Sequence, residues 1–215
     1  MSRRAHCPRC TRPLSACICR WITPVHSAAP LLILQHPLEV NNAKGSARLL
    51  QLSVDQAALA VGESFDPQAL AAMLSEGGRL PVLLYPDLPG ERELGLPAPP
   101  ACEPAQMADP ARVRLVILDG TWRKSRKMLY LNPALQALPR LALAAVPATH
   151  YTIRKAHAPH QLSTLEAACH ALGQLHGDDT AFLPLLQAFD DFVAHFHATS
   201  GKLALSARHG LANRA

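Results

Sequence analysis

Residues 114–126 read "RLVILDGTWRKSR" and join an apolar segment to a basic one. The apolar segment, which ends at Leu118, has the length and composition of a β-strand that is buried on both faces. The tetrapeptide "DGTW" follows directly, and the basic segment after it is predicted to form a helix that runs to Pro133. Asp119 and Trp122 therefore stand where a strand ends and a helix begins. A strand that passes straight into a helix is typical of an α/β domain.

The rest of the chain repeats this alternation. Asp66 directly before Pro67 is a helix-start signal. Ser163, three residues before Glu166, has the spacing of a capping box. Residues 86–110 contain seven prolines and are predicted to form a loop. Uninterrupted apolar strands that alternate with helices predict an α/β fold, a mostly parallel sheet with helices on both faces and with ligands bound beyond the carboxyl ends of the strands. The strands are predicted within residues 30–37, 57–62, 81–86 and 138–146, and the helices within residues 44–52, 66–76, 163–176 and 180–198.

The charged residues are segregated along the chain. The net charge is +5 with a pI near 9.1, and five arginines precede the first acidic residue, Glu39. Residues 39–119 carry eleven acidic and six basic residues, whereas residues 120–165 carry seven basic residues and no carboxylate. Two basic zones around an acidic middle predict a polyanionic partner, with RNA or DNA as the leading choices. A basic surface that serves solubility alone is the alternative.

The length and the hydropathy of the chain limit the number of domains and the kinds of protein to which it can belong. A chain of 215 residues with 49% hydrophobic residues can fill the core of one ordinary domain. No apolar stretch resembles a signal peptide or a membrane span, so we expect a cytosolic (cytoplasmic) protein without membrane contact and with reduced cysteines. We expect a monomer, although the sequence does not fix the oligomeric state.

Four cysteines crowd the N-terminal segment "CPRCTRPLSACIC", residues 7–19. Two close pairs joined by a short loop can bring four thiolates onto one tetrahedral zinc ion, and such a segment gains its fold from the metal. Four protein ligands leave no open position, so this zinc is expected to be structural. The alternatives are three cysteines with His6, or a disordered tail with chance cysteines. The predicted ligands are Cys7, Cys10, Cys17 and Cys19, whereas Cys102 and Cys169 look solitary.

By itself, "DGTW" is typical of a turn in which Asp or Thr caps a helix and Trp packs on the sheet. Several other motifs accompany it in order along the chain. They are the cysteine cluster, "LILQHPLE" (32–39), "LLYP" (83–86) and "IRKAHAPHQLSTLEA" (153–167). With these motifs the chain resembles the DTW-domain family from Cys7 to about Phe196. The family is related to the SPOUT class of RNA-modifying enzymes, and its members are known as tRNA-uridine aminocarboxypropyltransferases.

The resemblance implies a fold and a reaction. The fold is SPOUT-like, with an S-adenosylmethionine site in a trefoil-knotted carboxyl half. The reaction moves the 3-amino-3-carboxypropyl group from S-adenosylmethionine to N3 of a uridine in tRNA and releases methylthioadenosine. The chain would then consist of a cysteine-rich zinc-binding segment (1–25), a DTW catalytic domain (26–200) and a C-terminal tail (201–215). It departs from the family pattern at residues 44–48, "KGSAR", where Ser46 would replace a threonine.

The resemblance and the chemistry together assign roles to residues. Asp119 and Trp122 are the expected catalytic residues. Asp119 would accept the N3 proton, stabilise the developing anion, or bind the amino group of the donor. Trp122 would stack on a base or on adenine, and Gly120 would let the backbone approach a ligand closely. The donor pocket would be lined by Leu84, Tyr85, Pro86, Leu118, Gly120, Thr121, Leu162, Ser163 and Thr164.

The cations after "DGTW" are expected to contact RNA phosphates. Arg123 and Lys127 are one helical turn apart, so part of the set can share a face, although a solvated helix face is the alternative. Arg154 could instead bind the carboxylate of the donor, because a guanidinium suits that group. The expected phosphate ligands are Arg123, Lys124, Arg126, Lys127, Arg154 and Lys155.

Two other functions stay open at this point. An RNA methyltransferase would use the same pocket and partner but transfer the methyl carbon of the same sulfonium, so the choice depends on which carbon faces the nucleophile. A zinc-containing RNA-binding protein would have no catalysis, and loss of Asp119 would leave its function intact. The chain has eleven histidines, so the presence of any one of them does not distinguish between these functions. His36, His157 and His160 are expected to be structural or peripheral.

Overall fold

A computed structural model describes residues 5–42, 45–87, 89–101, 103–144 and 162–212. The strands of the described part are β1 (Leu31–Gln35), β2 (Ala57–Val61), β3 (Leu80–Leu84), β4 (Val113–Asp119) and β5 (Arg140–Leu141). They form one five-stranded sheet in the order β2-β1-β4-β3-β5, and each neighbouring pair is parallel. Every residue of the interior strands β1 and β4 is buried, which explains why their sequences are mostly apolar and lack a regular alternation with polar residues.

Six α-helices accompany the sheet in the described part. They are α1 (Ala47–Ser53), α2 (Pro67–Ser75), α3 (Trp122–Leu131), α4 (Pro133–Gln136), α5 (Thr164–His176) and α6 (Leu183–Ala212). The helix-start signals act as expected: the side chain of Asp66 accepts a hydrogen bond from the amide of Ala69 at 2.9 Å, and Ser163 and Glu166 form a capping box. Helix α5 ends at Gly177, whose φ of 64° lies in the left-handed region that glycine adopts without strain.

Alternate residues of the strands face two separate hydrophobic cores. On one face, Leu31 and Leu115 pack with α1, α5 and α6. On the other face, Leu32 and Val116 pack with α2, α3 and α4. The expectation of a mostly parallel sheet covered by helices on both faces is therefore confirmed.

The last predicted strand is shorter than expected. Strand β5 lies at the edge of the sheet and comprises two residues, whereas the sequence predicted a strand within residues 138–146. The side chain of Gln174 in α5 accepts a hydrogen bond from the amide of Ala144 and donates one to the carbonyl of Ala142. These backbone groups are bound by a side chain, so they do not extend the ladder.

Three further expectations concern the connections and the carboxyl end. The described residues between Pro86 and Pro110 form a loop with short 3₁₀ helices, such as the one at Pro104–Gln106. The connection that leads to α5, on which the predicted knot depends, includes residues 145–161, which lie outside the described residues. Helix α6 continues to Ala212. In the described part, no helix combines the length and the apolar character needed to cross a membrane.

The cysteine-rich segment packs on the α/β domain. Trp21, which follows the cysteines, meets Phe192 of α6 edge-on, with ring centroids 5.2 Å apart. Arg48 of α1 donates a hydrogen bond to the carbonyl oxygen of Arg9 at 2.9 Å. Cys10 is fully buried in the core that also contains α1, α5 and α6. The segment is thus fixed against two helices on one face of the sheet.

Candidate functional site

The carboxylate of Asp119 lies at the carboxyl end of β4, beside the end of β1. Asp119 is paired in register with Gln35, whose Nε2 donates a hydrogen bond to Oδ2 of Asp119 at 2.8 Å. The hydroxyl of Thr164, at the start of α5, donates to Oδ1 at 2.6 Å. Asp119 is 5% exposed. Because both of these donors are neutral, they orient the carboxylate without cancelling its charge.

Two further hydrogen bonds hold the neighbouring elements together at this point. The amide of His36 donates to the carbonyl oxygen of Asp119 at 3.0 Å. The amide of Leu165, in α5, donates to the hydroxyl of Ser46 at 3.3 Å, which ties the start of α1 to the start of α5. Ser46 is the residue that stands where a threonine was expected, and serine supplies the hydroxyl that this contact uses.

The turn after Asp119 allows α3 to begin very close to the strand. A Cβ on Gly120 would lie 3.1 Å from Cβ of Lys124 and 3.4 Å from Oγ of Ser125, so a side chain there would push against the helix. Thr121 is the N-cap of α3, and its hydroxyl accepts a hydrogen bond from the amide of Lys124 at 3.4 Å. The "DGTW" segment is therefore a capped strand-to-helix turn, and two residues predicted to bind the donor shape that turn.

Trp122 occupies the first position of α3 and is 47% exposed. Its ring meets the ring of Tyr85 edge-on, with centroids 5.6 Å apart and planes at 73°. Tyr85 is buried, and the guanidinium carbon of Arg140 lies 4.9 Å from its ring centroid. The indole is thus supported on one side and open to solvent elsewhere, an arrangement that can stack on a planar ligand.

The residues predicted to line the donor pocket lie at the carboxyl edge of the sheet, but on two faces of it. The side chains of Leu118 and Tyr85 are buried in the core shared with α3, so they serve packing. Leu84 packs on the other face, in the core that contains α5. Ser163 caps α5, and its hydroxyl accepts a hydrogen bond from the amide of Glu166 at 3.2 Å. The half-buried members of the set are Leu84, Pro86, Gly120, Leu162 and Thr164.

The two lysines of α3 are paired with carboxylates of the same chain. Nζ of Lys124 lies 2.8 Å from Oε1 of Glu39, whose side chain is 3% exposed. Nζ of Lys127 lies 2.9 Å from Oε2 of Glu63, and Nε2 of His36 lies 2.8 Å from the other oxygen. The hydrogen bonds from Lys127 and His36 lower the pKa of Glu63, so this carboxylate stays ionised. The charge of both lysines, which were predicted to contact phosphates, is therefore partly compensated within the protein.

The two arginines of α3 differ from the lysines. Arg123 and Arg126 are exposed, and neither forms a hydrogen bond or ion pair with a residue in the described ranges. Both border an open groove of about 740 Å³ to which Leu38 and Tyr130 also contribute. This groove therefore offers positive charge to a ligand. Outside the described residues lie the predicted phosphate ligands Arg154 and Lys155, together with His157 and His160.

The four N-terminal cysteines converge as a possible metal site. Their sulfur atoms all lie within 4.8 Å of one another, with Cys7 and Cys19 at 3.5 Å and Cys10 and Cys17 at 3.8 Å. Tetrahedral zinc with Zn–S bonds of about 2.3 Å requires sulfur atoms about 3.8 Å apart, so the arrangement fits the ion. His6 is exposed and lies outside this group of four ligand atoms.

The thiols of this cluster differ in their ease of ionisation. Hydrogen bonds from the backbone of Cys10 and Arg9 lower the pKa of Cys7 to about 6. Burial and the neighbouring thiols raise the pKa of Cys19 to about 12. A metal ion binds the thiolate form of cysteine. Because the pKa of Cys7 is lowered, the folded chain favours the thiolate form of Cys7 more than that of Cys19.

For three residues of the site, the sequence analysis predicted no role. Gln35 could have been found, because it is a polar residue at the carboxyl end of an apolar strand, the position that Asp119 has in β4. Glu39 gave no local signal, since its partner Lys124 lies 85 residues away. Glu63 likewise acquires its partners only in the folded chain.

The fold and the site define a class of protein: a parallel α/β domain with an oriented carboxylate and an exposed indole at the carboxyl edge of the sheet, and a four-cysteine cluster beside it. A family model described as "DTW domain" matches residues 4–197. The chain therefore belongs to the DTW domain family, as the motifs predicted.

Curated relatives cover most of the chain. A protein named tRNA-uridine aminocarboxypropyltransferase 2 from Macaca fascicularis is 28% identical over 98% of this chain and 70% of the relative. Proteins of the same name from Mus musculus and Drosophila melanogaster are 26% and 32% identical, over 98% and 81% of this chain and 70% and 68% of the relatives. No solved structure matches the chain.

Proposed function

We propose that the protein is a tRNA-uridine aminocarboxypropyltransferase. One observation supports this beyond the names of the relatives: three separate motifs converge on one carboxylate. Gln35 of "LILQHPLE" and Thr164 of "STLEA" donate hydrogen bonds to Asp119 of "DGTW", across 84 and 45 residues of chain. A reaction that depends on Asp119 explains why all three motifs occur together.

The proposed donor is S-adenosylmethionine, as the family resemblance implies. A bond forms between N3 of uridine and the γ-carbon of the aminocarboxypropyl group, the bond from that carbon to the sulfonium sulfur breaks, and methylthioadenosine leaves. Uridine N3 carries a proton near neutral pH, and this proton must leave during the reaction. The protein therefore needs a group that accepts the proton or stabilises the charge that develops.

Asp119 is the group proposed for that task. The hydrogen bonds from Gln35 and Thr164 fix the direction of the carboxylate, which is proposed to act on a uridine proton or on the amino group of the donor. Trp122 is proposed to stack on the uridine or on adenine, because about half of its surface is exposed. The donor would bind along the half-buried residues Leu84, Pro86, Leu162 and Thr164.

The remaining parts of the proposal concern the RNA, the metal and the path of the chain. Arg123 and Arg126 are proposed to bind phosphates, with Arg154 and Lys155 as further ligands from the connection before α5. A structural zinc ion held by the four cysteines is supported by their sulfur distances. We also propose a SPOUT-like knot in that connection, and a monomer that acts in the cytosol.

The test uses purified protein, unmodified tRNA and S-adenosylmethionine labelled either in the methyl group or in the carboxylate. Wild type, Asp119→Asn and Asp191→Asn are compared, since Asp191 is an exposed carboxylate on α6 and serves as the matched control. We expect label to enter tRNA from the carboxylate position only, with wild type and with Asp191→Asn.

Other outcomes assign the protein to the rival functions. Label that enters only from the methyl group would make the protein an RNA methyltransferase. Label from neither position, with tRNA binding intact in Asp119→Asn, would make it an RNA-binding protein without this chemistry.

A further inference from the structure

Exposed apolar side chains gather around α3. In the described part, eight large apolar side chains are exposed, and five of them belong either to α3 or to the turn after β1. They are Trp122, Tyr130 and Leu131 in α3, and Leu38 and Val40 in the turn. Scattered exposed side chains need no explanation, but Leu38 and Tyr130 border the same groove and form an exposed apolar surface there.

Three residues of α3 form a regular pattern within this surface. Trp122, Arg126 and Tyr130 are spaced by four residues, so they follow one another along one face of the helix at steps of about 6 Å. Trp122 is 47% and Tyr130 59% exposed, and Arg126 is exposed between them. We call these three residues the α3 stripe. Its order is a ring, a guanidinium and a ring.

The charges around the stripe favour a polyanion. Lys124 and Lys127 are paired with Glu39 and Glu63, whereas Arg126 has no partner in the described residues. Glu63 lies in the same groove, but its charge is matched by Lys127 at 2.9 Å. A guanidinium is suited to phosphate, and planar rings are suited to the faces of bases.

The chemistry of the proposed function selects the form of the RNA. N3 of uridine is the atom that donates in a Watson–Crick pair, so a uridine modified there must be unpaired when it reacts. Bases beside an unpaired nucleotide can expose their faces for stacking, whereas a duplex hides them. This step rests on the function proposed above.

We propose that the α3 stripe binds unpaired nucleotides next to the target uridine, with Tyr130 stacking on a neighbouring base and Arg126 binding a phosphate. Leu38, which is 74% exposed and borders the same groove, provides further apolar contact for that base. The stripe would thus recognise a loop or other single-stranded segment of the RNA.

The test measures binding of unmodified tRNA, of a short single-stranded RNA and of a duplex with the same sequence, by fluorescence anisotropy. The variants are Tyr130→Ala, Tyr130→Phe and Arg126→Gln, and Leu183→Ala is the control because Leu183 is an exposed apolar residue on α6. Thermal melting of each variant reports whether it is folded.

We expect Tyr130→Ala to weaken binding of tRNA and of the single strand about tenfold, because stacking is lost. Tyr130→Phe keeps the ring and should bind like wild type. Arg126→Gln should lower the slope of log K against log salt by about 0.7, the value for one contact with a single strand. The maximal rate at saturating tRNA should stay unchanged in Tyr130→Ala, with the effect confined to KM.

Two results would overturn the proposal: Tyr130→Ala binding as tightly as Leu183→Ala, or Tyr130→Phe losing as much affinity as Tyr130→Ala. A wild-type protein that binds the duplex more tightly than the single strand would also overturn it. Failure of the proposed function is seen separately, since wild type would then transfer no aminocarboxypropyl label whatever the Tyr130 variants bind.

Discussion

The cysteine-rich segment and the Asp119 site each bring polar side chains together, but the two sites differ in how far apart their residues lie along the sequence. The four cysteines lie within thirteen residues, whereas Gln35 and Thr164 lie 84 and 45 residues from Asp119. The first cluster can form locally once a metal binds, and the second requires β1, β4 and α5 to be packed. We therefore expect damage to the cysteine cluster to lower the stability of the protein. We expect damage to the Asp119 site to lower the rate of the reaction.

The two sites are nevertheless joined by a common core. Cys7 and Cys10 pack in the same apolar cluster as Leu165 and Leu172 of α5, the helix whose first residue, Thr164, contacts Asp119. Loss of a metal from the cysteines should therefore affect the position of the Asp119 carboxylate only indirectly, through the packing of α5.

The largest expected effect belongs to Asp119→Asn. Asparagine keeps the size of the side chain but lacks the negative charge, so we expect the rate of transfer at saturating substrates to fall at least about 100-fold. The melting temperature should change little, since the amide can still hydrogen-bond to its neighbours. A rate within about threefold of wild type would remove Asp119 from the chemistry.

Metal removal comes next and should act on stability. We expect Cys10→Ser, or incubation with a chelator, to lower the free energy of unfolding by about 3 kcal/mol or more, because the segment would lose the proposed ion that folds it. Native mass spectrometry counts the bound metal, and chemical denaturation measures the stability. Addition of zinc should reverse the chelator effect but leave Cys10→Ser unstable. Identical denaturation curves with and without the chelator, and no bound metal, would contradict the zinc assignment.

Smaller effects are expected for the two residues that position Asp119. Gln35→Ala and Thr164→Val each remove one hydrogen bond to a carboxylate, so we expect each to reduce the maximal rate about tenfold with KM for tRNA unchanged. Thr164→Ser keeps the hydroxyl and should retain most of the rate. The pH profile of the rate should shift in the two impaired variants, a result that a merely structural role would not give.

The sequence predicted the features that depend on neighbouring residues. Apolar runs predicted β1 and β4, Asp66 before Pro67 predicted the start of α2, and the spacing of the cysteines predicted their convergence. "DGTW" and its companion motifs predicted the family and the position of Asp119 at the end of a strand.

Features that depend on distant residues could not be predicted in the same way. The pairing of Lys124 with Glu39 joins residues 85 positions apart, and it partly compensates the charge of a lysine that is predicted to contact phosphates. The shortening of β5 depends on Gln174, a residue of α5. For both Lys124 and Gln174, the sequence shows that a polar side chain is present, but the partner of that side chain is known only from the folded structure.

The smallest expected effect concerns pH and the far end of α5. Burial, and to a lesser extent the charge of His26, lowers the pKa of His176, whereas Asp178 opposes this shift. Since the folded-state pKa is lower than the ordinary value of about 6.5, the stability linked to neutral His176 is present above that value and is lost as pH falls through the folded pKa.

We therefore expect the melting temperature to drop by a few degrees as the pH falls below about 6.5, and His176→Asn to flatten this drop. The control is His197→Asn, which changes an exposed histidine of α6. Equal pH dependence of the melting temperature in wild type and His176→Asn would show that another group is responsible.

The carboxylate of Asp119, which Gln35 and Thr164 hold by hydrogen bonds, is proposed to take part in aminocarboxypropyl transfer. The most direct measurement quantifies the nucleoside released from S-adenosylmethionine in single-turnover reactions of wild type and Asp119→Asn with unmodified tRNA. We expect one methylthioadenosine for each tRNA modified by wild type, and almost none with Asp119→Asn. Release of S-adenosylhomocysteine instead, or the same yield and rate from both proteins, would contradict it.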